Sequence, residues 1–250
     1  YGLGHVAYDL NLAAARLARE AADSVSQRTP DRPRFVAGSV GPTTKMLSMS
    51  PDVNDPGYRA VTFDQMKRSF RIQLEGLVDG GVDVILFETV TDTLNVKAAL
   101  KAHAELCAER GIALPAMISG TITDMSGRTL SGQTPEAFWL SVQHARHLLS
   151  IGLNCALGSS MMRPFIEELA TTASAYVSLY PNAGLPNAMG GYDESPDYMA
   201  QQARDYAREG WLNILGGCCG TTPDHIAAMA EAVRGRSEEH TSELQSRQYL

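Results

Sequence analysis

Cysteine is scarce: four in 250 residues make no disulfide scaffold, and a reducing, cytoplasmic setting is expected. No run approaches the roughly 20 apolar residues of a membrane-spanning helix. No basic segment followed by an apolar stretch marks a secretory leader, and the chain opens on Tyr1 rather than Met, so its natural start is expected upstream. Positive charge is in deficit, 21 Lys plus Arg against 28 Asp plus Glu, a net charge of −7. Such a chain repels phosphate backbones, so neither nucleic acid nor membrane is an expected partner. The phosphate-cradling G-x-x-x-x-G-K, the dinucleotide G-x-G-x-x-G and the zinc-protease H-E-x-x-H are all missing, which removes nucleotide binding and metalloprotease chemistry by those routes. What remains is 44% apolar and 20% charged, an ordinary globular balance with ample chain for a core.

Short apolar runs alternate with longer amphipathic segments. Spacing at Leu10, Ala14, Leu17 and Ala21 predicts a helix over 8–27, and 62–78 and 93–110 read as helices, the last stopped by Gly111. Further helices are expected over 135–149, 163–174, 196–209 and 223–233. Strands are expected at 34–38, 82–87, 116–119, 152–154, 176–179 and 212–215, apolar on both faces as parallel strands under crossover helices are. Six β-then-α units in alternation fit a doubly wound sheet or a β/α barrel. A barrel needs eight units, and the unpaired first helix favours an N-terminally truncated (β/α)8 TIM barrel with about six of its units. The domain is expected over 1–235. The polar stretch 236–250 lacks periodicity, and R-S-E-E-H-T-S-E-L-Q-S at 236–246 resembles translated adapter sequence, so the tail, with His240, is set aside.

Polar chemistry gathers just after the strands, at G-S-V-G-P-T-T (38–44), E-T-V-T-D-T (88–93), S-G-T-I-T-D-M-S-G-R-T-L-S-G-Q-T (119–134), N-C-A-L-G (154–158), Y-P-N-A-G-L-P-N (180–187) and G-G-C-C-G-T-T-P (216–223). In a barrel these loops open on one face, where such folds place their sites. Cys155 and the vicinal Cys218 and Cys219 lie in them, and the spacing lets three sulfurs converge. A metal centre, a redox dithiol and inert packing all fit; zinc is favoured because three thiolates leave its fourth tetrahedral position open. Cys107 sits inside a helical pattern and reads as core, while His144 and His147 flank Arg146 on a solvated helix face. His225, in the first turn of the last helix, reads as structural or rim-exposed. Glu88 suits a ligand ammonium group, or pairs with a lysine or arginine; Asp92 reads as a helix N-cap, and Asp124 with Arg128 as an ion pair ordering its loop.

These motifs, with S-P-D-V-N-D-P at 50–56, resemble over about residues 8–235 the homocysteine-binding domain of the cobalamin-dependent methionine synthases, within the zinc-dependent homocysteine S-methyltransferase family. The resemblance implies a β/α barrel whose zinc is held by Cys155, Cys218 and Cys219, with Asn182 approaching the metal when substrate is absent and Glu88 binding the homocysteine amino group. It implies a homocysteine thiolate that takes a methyl group from methylcobalamin and yields methionine. Modules binding methyltetrahydrofolate and cobalamin would be partners from outside this chain. The first two β/α units, including a glycine-rich loop used near the substrate amine, would also be absent. A barrel open at two edges is expected to fold poorly and not to turn over by itself. Rival readings are a stand-alone enzyme taking methyl from betaine or S-methylmethionine, a structural zinc or redox-dithiol protein, and a fragment with no function of its own.

Overall fold

The computed structural model describes residues 2–123 and 125–235. Asp124, the proposed partner of Arg128, and the tail with His240 lie outside the described residues. After a short 3-10 turn, helix α1 (Ala7–Arg28) leads into β1 (Ala37–Val40), α2 (Phe63–Asp79), β2 (Val84–Val90) and α3 (Thr93–Arg110). Then follow β3 (Ala116–Gly120), α4 (Pro135–Val142), β4 (Leu148–Gly158), α5 (Arg163–Thr172), β5 (Tyr176–Asn182), α6 (Pro196–Glu209), β6 (Ile214–Leu215) and α7 (Pro223–Ala232). The six strands form one sheet in the order β1-β2-β3-β4-β5-β6, with parallel registers for β1 on β2, β4 on β5 and β5 on β6. A doubly wound sheet reverses its order at a switch point. Here the order follows the chain throughout, as in the partial TIM barrel that the alternation favours. No described helix is long and apolar enough to cross a membrane.

The chain divides into two compact units, one built from residues up to Ile118 with Val142–Leu149, the other from Ser119–Ser141 and the residues from Ser150 on. In the first, α1 crosses α2 closely. A Cβ on Gly76 would lie 2.5 Å from the Tyr8 carbonyl oxygen, and one on Gly80 would lie 2.3 Å from the Ala15 Cβ. Arg19 on α1 and the Val36 amide share one Asp83 oxygen, both at 2.6 Å, which ties α1 to the segments entering β1 and β2. Asp92 caps α3 as its sequence position predicts. Its carboxylate accepts from the Leu94 and Asn95 amides and also from the amide and hydroxyl of Ser48. Gly111 ends the helix at φ 65°.

Inside α3, His103 and Cys107 are buried, with the His103 Nε2 3.5 Å from the Cys107 sulfur and the imidazole edge-on to Phe87 at 6.0 Å. Cys107 is therefore core, as its helical position implies. Burial pushes the His103 pKa below its ordinary value, the nearby His147 adds to the fall, and the Leu114 backbone opposes it. The unfolded chain thus binds the proton more readily than the folded one. Stability from this site is complete above about pH 6.5 and is lost progressively as the pH falls from there toward the lowered folded value. The urea midpoint is expected to drop between about pH 7.5 and pH 5.5, and to drop less in His103→Gln; equal slopes in both proteins would contradict this origin.

The helix expected over 135–149 is a correction: α4 stops at Val142, and Leu148 already opens β4. Residues 150–154 are all buried, so a two-faced apolar environment overrides the helical spacing read across His144 and His147. His147 instead takes a left-handed φ of 56° at the turn into β4, so the two histidines share no helix. The first strand also begins later than expected, at Ala37, leaving Phe35 73% exposed before it.

Candidate metal centre

Two local distortions in the second unit build the site. Along β4, Asn154 pairs with Tyr180 of β5, but the next pairing is Gly158 with Asn182. Four residues of β4 therefore oppose two of β5, and the surplus forms a bulge at Cys155 and Ala156, with φ of 62° and 60°. Side chains other than glycine rarely take this conformation, which costs about 1–3 kcal/mol per residue and persists only where the surroundings enforce it.

The second distortion is the turn after β6. The Cys218 amide donates to the Pro181 carbonyl at 2.8 Å, the Cys219 amide to Asn182 Oδ1 at 3.1 Å, and the Ala183 amide to the Cys219 carbonyl at 2.9 Å. Three consecutive residues at the end of β5 thus hold the backbone of both cysteines. Gly220 turns the chain at φ 79°, and a Cβ there would lie 2.4 Å from Cβ and Cγ of Tyr192. Thr221 and the Thr222–His225 cap of α7 complete the turn, with the Thr222 amide donating to His225 Nδ1 at 3.1 Å. His225 is thus buried and structural rather than rim-exposed, and its Nε2 reaches the Glu194 carbonyl at 2.9 Å.

The result is a cluster of sulfurs. Cys155 and Cys219 are 3.7 Å apart, Cys218 and Cys219 are 3.9 Å apart, and all three lie within 4.8 Å of one another. Sulfurs about 2.3 Å from one zinc ion in tetrahedral array stand about 3.8 Å apart, so these spacings suit that ion. All three cysteines are free and half-buried. Burial pushes the Cys218 thiol up to about 12, with the sulfurs of Cys155 and Cys219 adding to the rise and the Asn154 amide opposing it. Three thiolates at this spacing need a cation to share, which is what the donor set offers a soft divalent metal.

Two residues that the sequence reading did not single out face the cluster. The buried Asn154 places its Nδ2 3.8 Å from the Cys218 sulfur. Tyr192 packs against the Gly220 turn, and its phenol is pushed above the ordinary pKa by hydrogen bonding with Cys219, ahead of burial. Asn154 had a signal in its place beside Cys155, but Tyr192 lies in an irregular loop with no periodicity to mark it. Asn182 is buried, with its carboxamide oxygen engaged by the Cys219 amide. Glu194 lies over Gly158 and Gly184, accepts from the Ser159 hydroxyl at 3.3 Å, and is raised in pKa by burial. Glu88 belongs to the first unit, inside β2, where the Ser39 hydroxyl donates to it and no lysine or arginine pairs with it among the described residues. It lines a cleft with Gly41, Pro42, Phe70 and Asn95.

Comparison with known proteins adds three findings. The sequence profile described as homocysteine S-methyltransferase matches residues 1–233. The homocysteine methyltransferase MmuM from Escherichia coli, in its apo form, superposes with a TM-score of 0.68 at 23% identity, over 93% of this chain and 76% of that one. The metallated form of the same protein gives 0.67 at 24% identity, over 90% and 70%. At these identities the two structures speak for the fold.

Proposed function

The chain belongs to the homocysteine S-methyltransferase family, and from that premise we propose that Cys155, Cys218 and Cys219 hold a zinc ion at which the homocysteine sulfur is methylated to give methionine. The spacing of 3.7 and 3.9 Å between sulfurs carried in from two distant segments is the observation that supports this most. A free thiol with a pKa near 8.5 is largely protonated at neutral pH, and the thiolate is the nucleophile. When bound, zinc supplies the positive charge that keeps the substrate sulfur deprotonated, while three anionic ligands leave the centre at a net −1, so that sulfur stays electron-rich.

The chain's own residues orient and hold. Asn182 and the Pro181 carbonyl fix the Cys218–Cys219 backbone, and the bulge at Cys155 aims the third sulfur at the other two. Glu88, with no cationic partner among the described residues and its carboxylate oriented by Ser39, is assigned the substrate ammonium group. Methylcobalamin is the proposed methyl donor. The long S-G-T-I-T-D-M-S-G-R-T-L-S-G-Q-T loop supports this choice, with partner modules for methyltetrahydrofolate and cobalamin completing the enzyme. Betaine and S-methylmethionine are the donors of the rival reading. Metal analysis of the chain purified under reducing conditions is expected to find about one zinc per chain, the fourth position being left for substrate. Homocysteine is expected to alter the thiolate-to-cobalt absorption of a cobalt-substituted sample. A folded sample without metal rejects the centre, and an unchanged spectrum rejects homocysteine as its ligand. In assays together with its partner modules, turnover with betaine or S-methylmethionine and none with methylcobalamin rejects the choice of donor.

A further inference from the structure

Cys155 reaches the other two sulfurs from a bulge, with left-handed φ at Cys155 and Ala156. Such a backbone persists only where its surroundings hold it. The bulge opens after Asn154, and pairing with β5 resumes at Gly158 opposite Asn182. The next residue, Ser159, is buried and held at two atoms. Its carbonyl accepts from the Tyr206 hydroxyl at 2.7 Å, and its own hydroxyl donates to Glu194 Oε2 at 3.3 Å.

Glu194 comes from the loop between β5 and α6. Its side chain lies against two glycines: a Cβ on Gly158 would stand 2.7 Å from its Oε1, and one on Gly184 2.9 Å from its Cγ. Its backbone faces the cysteine turn. The Glu194 amide donates to the Ala183 carbonyl at 3.0 Å, and the Ala183 amide donates to the Cys219 carbonyl at 2.9 Å. The Glu194 carbonyl accepts from His225 Nε2 at 2.9 Å, and His225 closes the cap that follows that turn. Burial pushes the Glu194 pKa up, and the Ser159 hydroxyl and amide oppose the rise. One residue thus joins the end of the bulge, through its side chain, to the Cys218–Cys219 turn, through its backbone. We propose that Glu194 is a positioning residue that holds the bulge of β4 against that turn and so keeps the Cys155 sulfur within ligating distance of the other two. This inference rests on the zinc reading proposed above and goes beyond it by naming what sets the spacing.

Replacing the side chain cuts only the arm to β4, so the effect should fall on one cysteine. The test alkylates the zinc-loaded 250-residue chain with iodoacetamide and reads each cysteine by mass spectrometry. In Glu194→Ala, alkylation of Cys155 is expected to rise several-fold relative to Cys218 and Cys219, with zinc affinity falling about 10- to 100-fold, as when a group that orients a ligand is lost. Glu194→Gln keeps an acceptor for the Ser159 hydroxyl without the charge and is expected to restore the protection of Cys155. Ser159→Ala is the milder variant, expected to act in the same sense as Glu194→Ala by a smaller factor; it decides the matter where Glu194→Ala does not fold. Unchanged protection of Cys155 in these two alanine variants overturns the inference. So does an equal gain at all three cysteines, the mark of general loosening, or a Glu194→Gln chain that behaves like Glu194→Ala, which would make charge the operative property. A wild-type chain that takes up no zinc overturns the centre itself, and the inference with it.

Discussion

Cys218→Ser is expected to reduce zinc from about one per chain to near zero after dialysis, with affinity falling more than about 100-fold. The serine hydroxyl does not ionise near neutral pH, and zinc–oxygen bonds are about 0.2–0.3 Å shorter than zinc–sulfur bonds, so the oxygen would have to move toward the ion. The turn cannot follow, because the Cys218 amide is held by the Pro181 carbonyl and its own carbonyl by Thr221. Cys107→Ser is the matched control. That thiol lies in α3 beside His103, in the other unit, and metal content is expected to stay at the wild-type level. Metal analysis and thiolate-to-cobalt absorption read both variants; a Cys218→Ser chain that keeps a full equivalent at unchanged affinity would remove Cys218 from the ligand set.

Gly220→Ala should be comparably damaging without touching a ligand. At φ 79° an L-residue costs about 1–2 kcal/mol, and the new methyl would sit 2.4 Å from Cβ and Cγ of Tyr192. Those atoms lie at the root of a ring packed into the α6–α7 core, so they cannot swing aside as the tip of a lysine would. Overpacking of this kind adds about 1–3 kcal/mol, for a total of about 2–5 kcal/mol, a large part of the stability of a domain. The cheapest escape is to displace either Tyr192 or the cysteine turn, so metal binding is expected to weaken along with the urea midpoint. Gly235→Ala, also at positive φ (80°) but with open space around it, isolates the backbone cost from the clash. A Gly220→Ala chain no less stable than Gly235→Ala would show that the contact with Tyr192 carries no energy.

Elements whose signals are local could be read from the residues in order. The predicted bounds of α3 and α6 coincide with the structure because each carries its own caps, Asp92 and Gly111 for one, Ser195 and Gly210 for the other. Stop signals of this kind act within one turn and need no tertiary partner. The alternation of strand and helix likewise announced a parallel sheet, and the placement of the three loop cysteines announced that their sulfurs converge. Where α4 ends and β4 begins was not readable, because the apolar run through Leu148 suits either period until burial on both faces selects the strand.

The sequence by itself determined the class of fold, the alternation of its elements and the identity of the three sulfur-bearing residues, since these follow from periodicity, caps and residue chemistry. Only the tertiary structure decided the running order of the strands, the left-handed bulge that turns Cys155 inward, the packing of Tyr192 against the Gly220 turn, and the arrival of Asn154 at the Cys218 sulfur. Each of those depends on contacts between residues far apart in the chain. A strained φ or a loop tyrosine has no local preference that would betray it, and it is held in place by packing that exists once the sheet has formed.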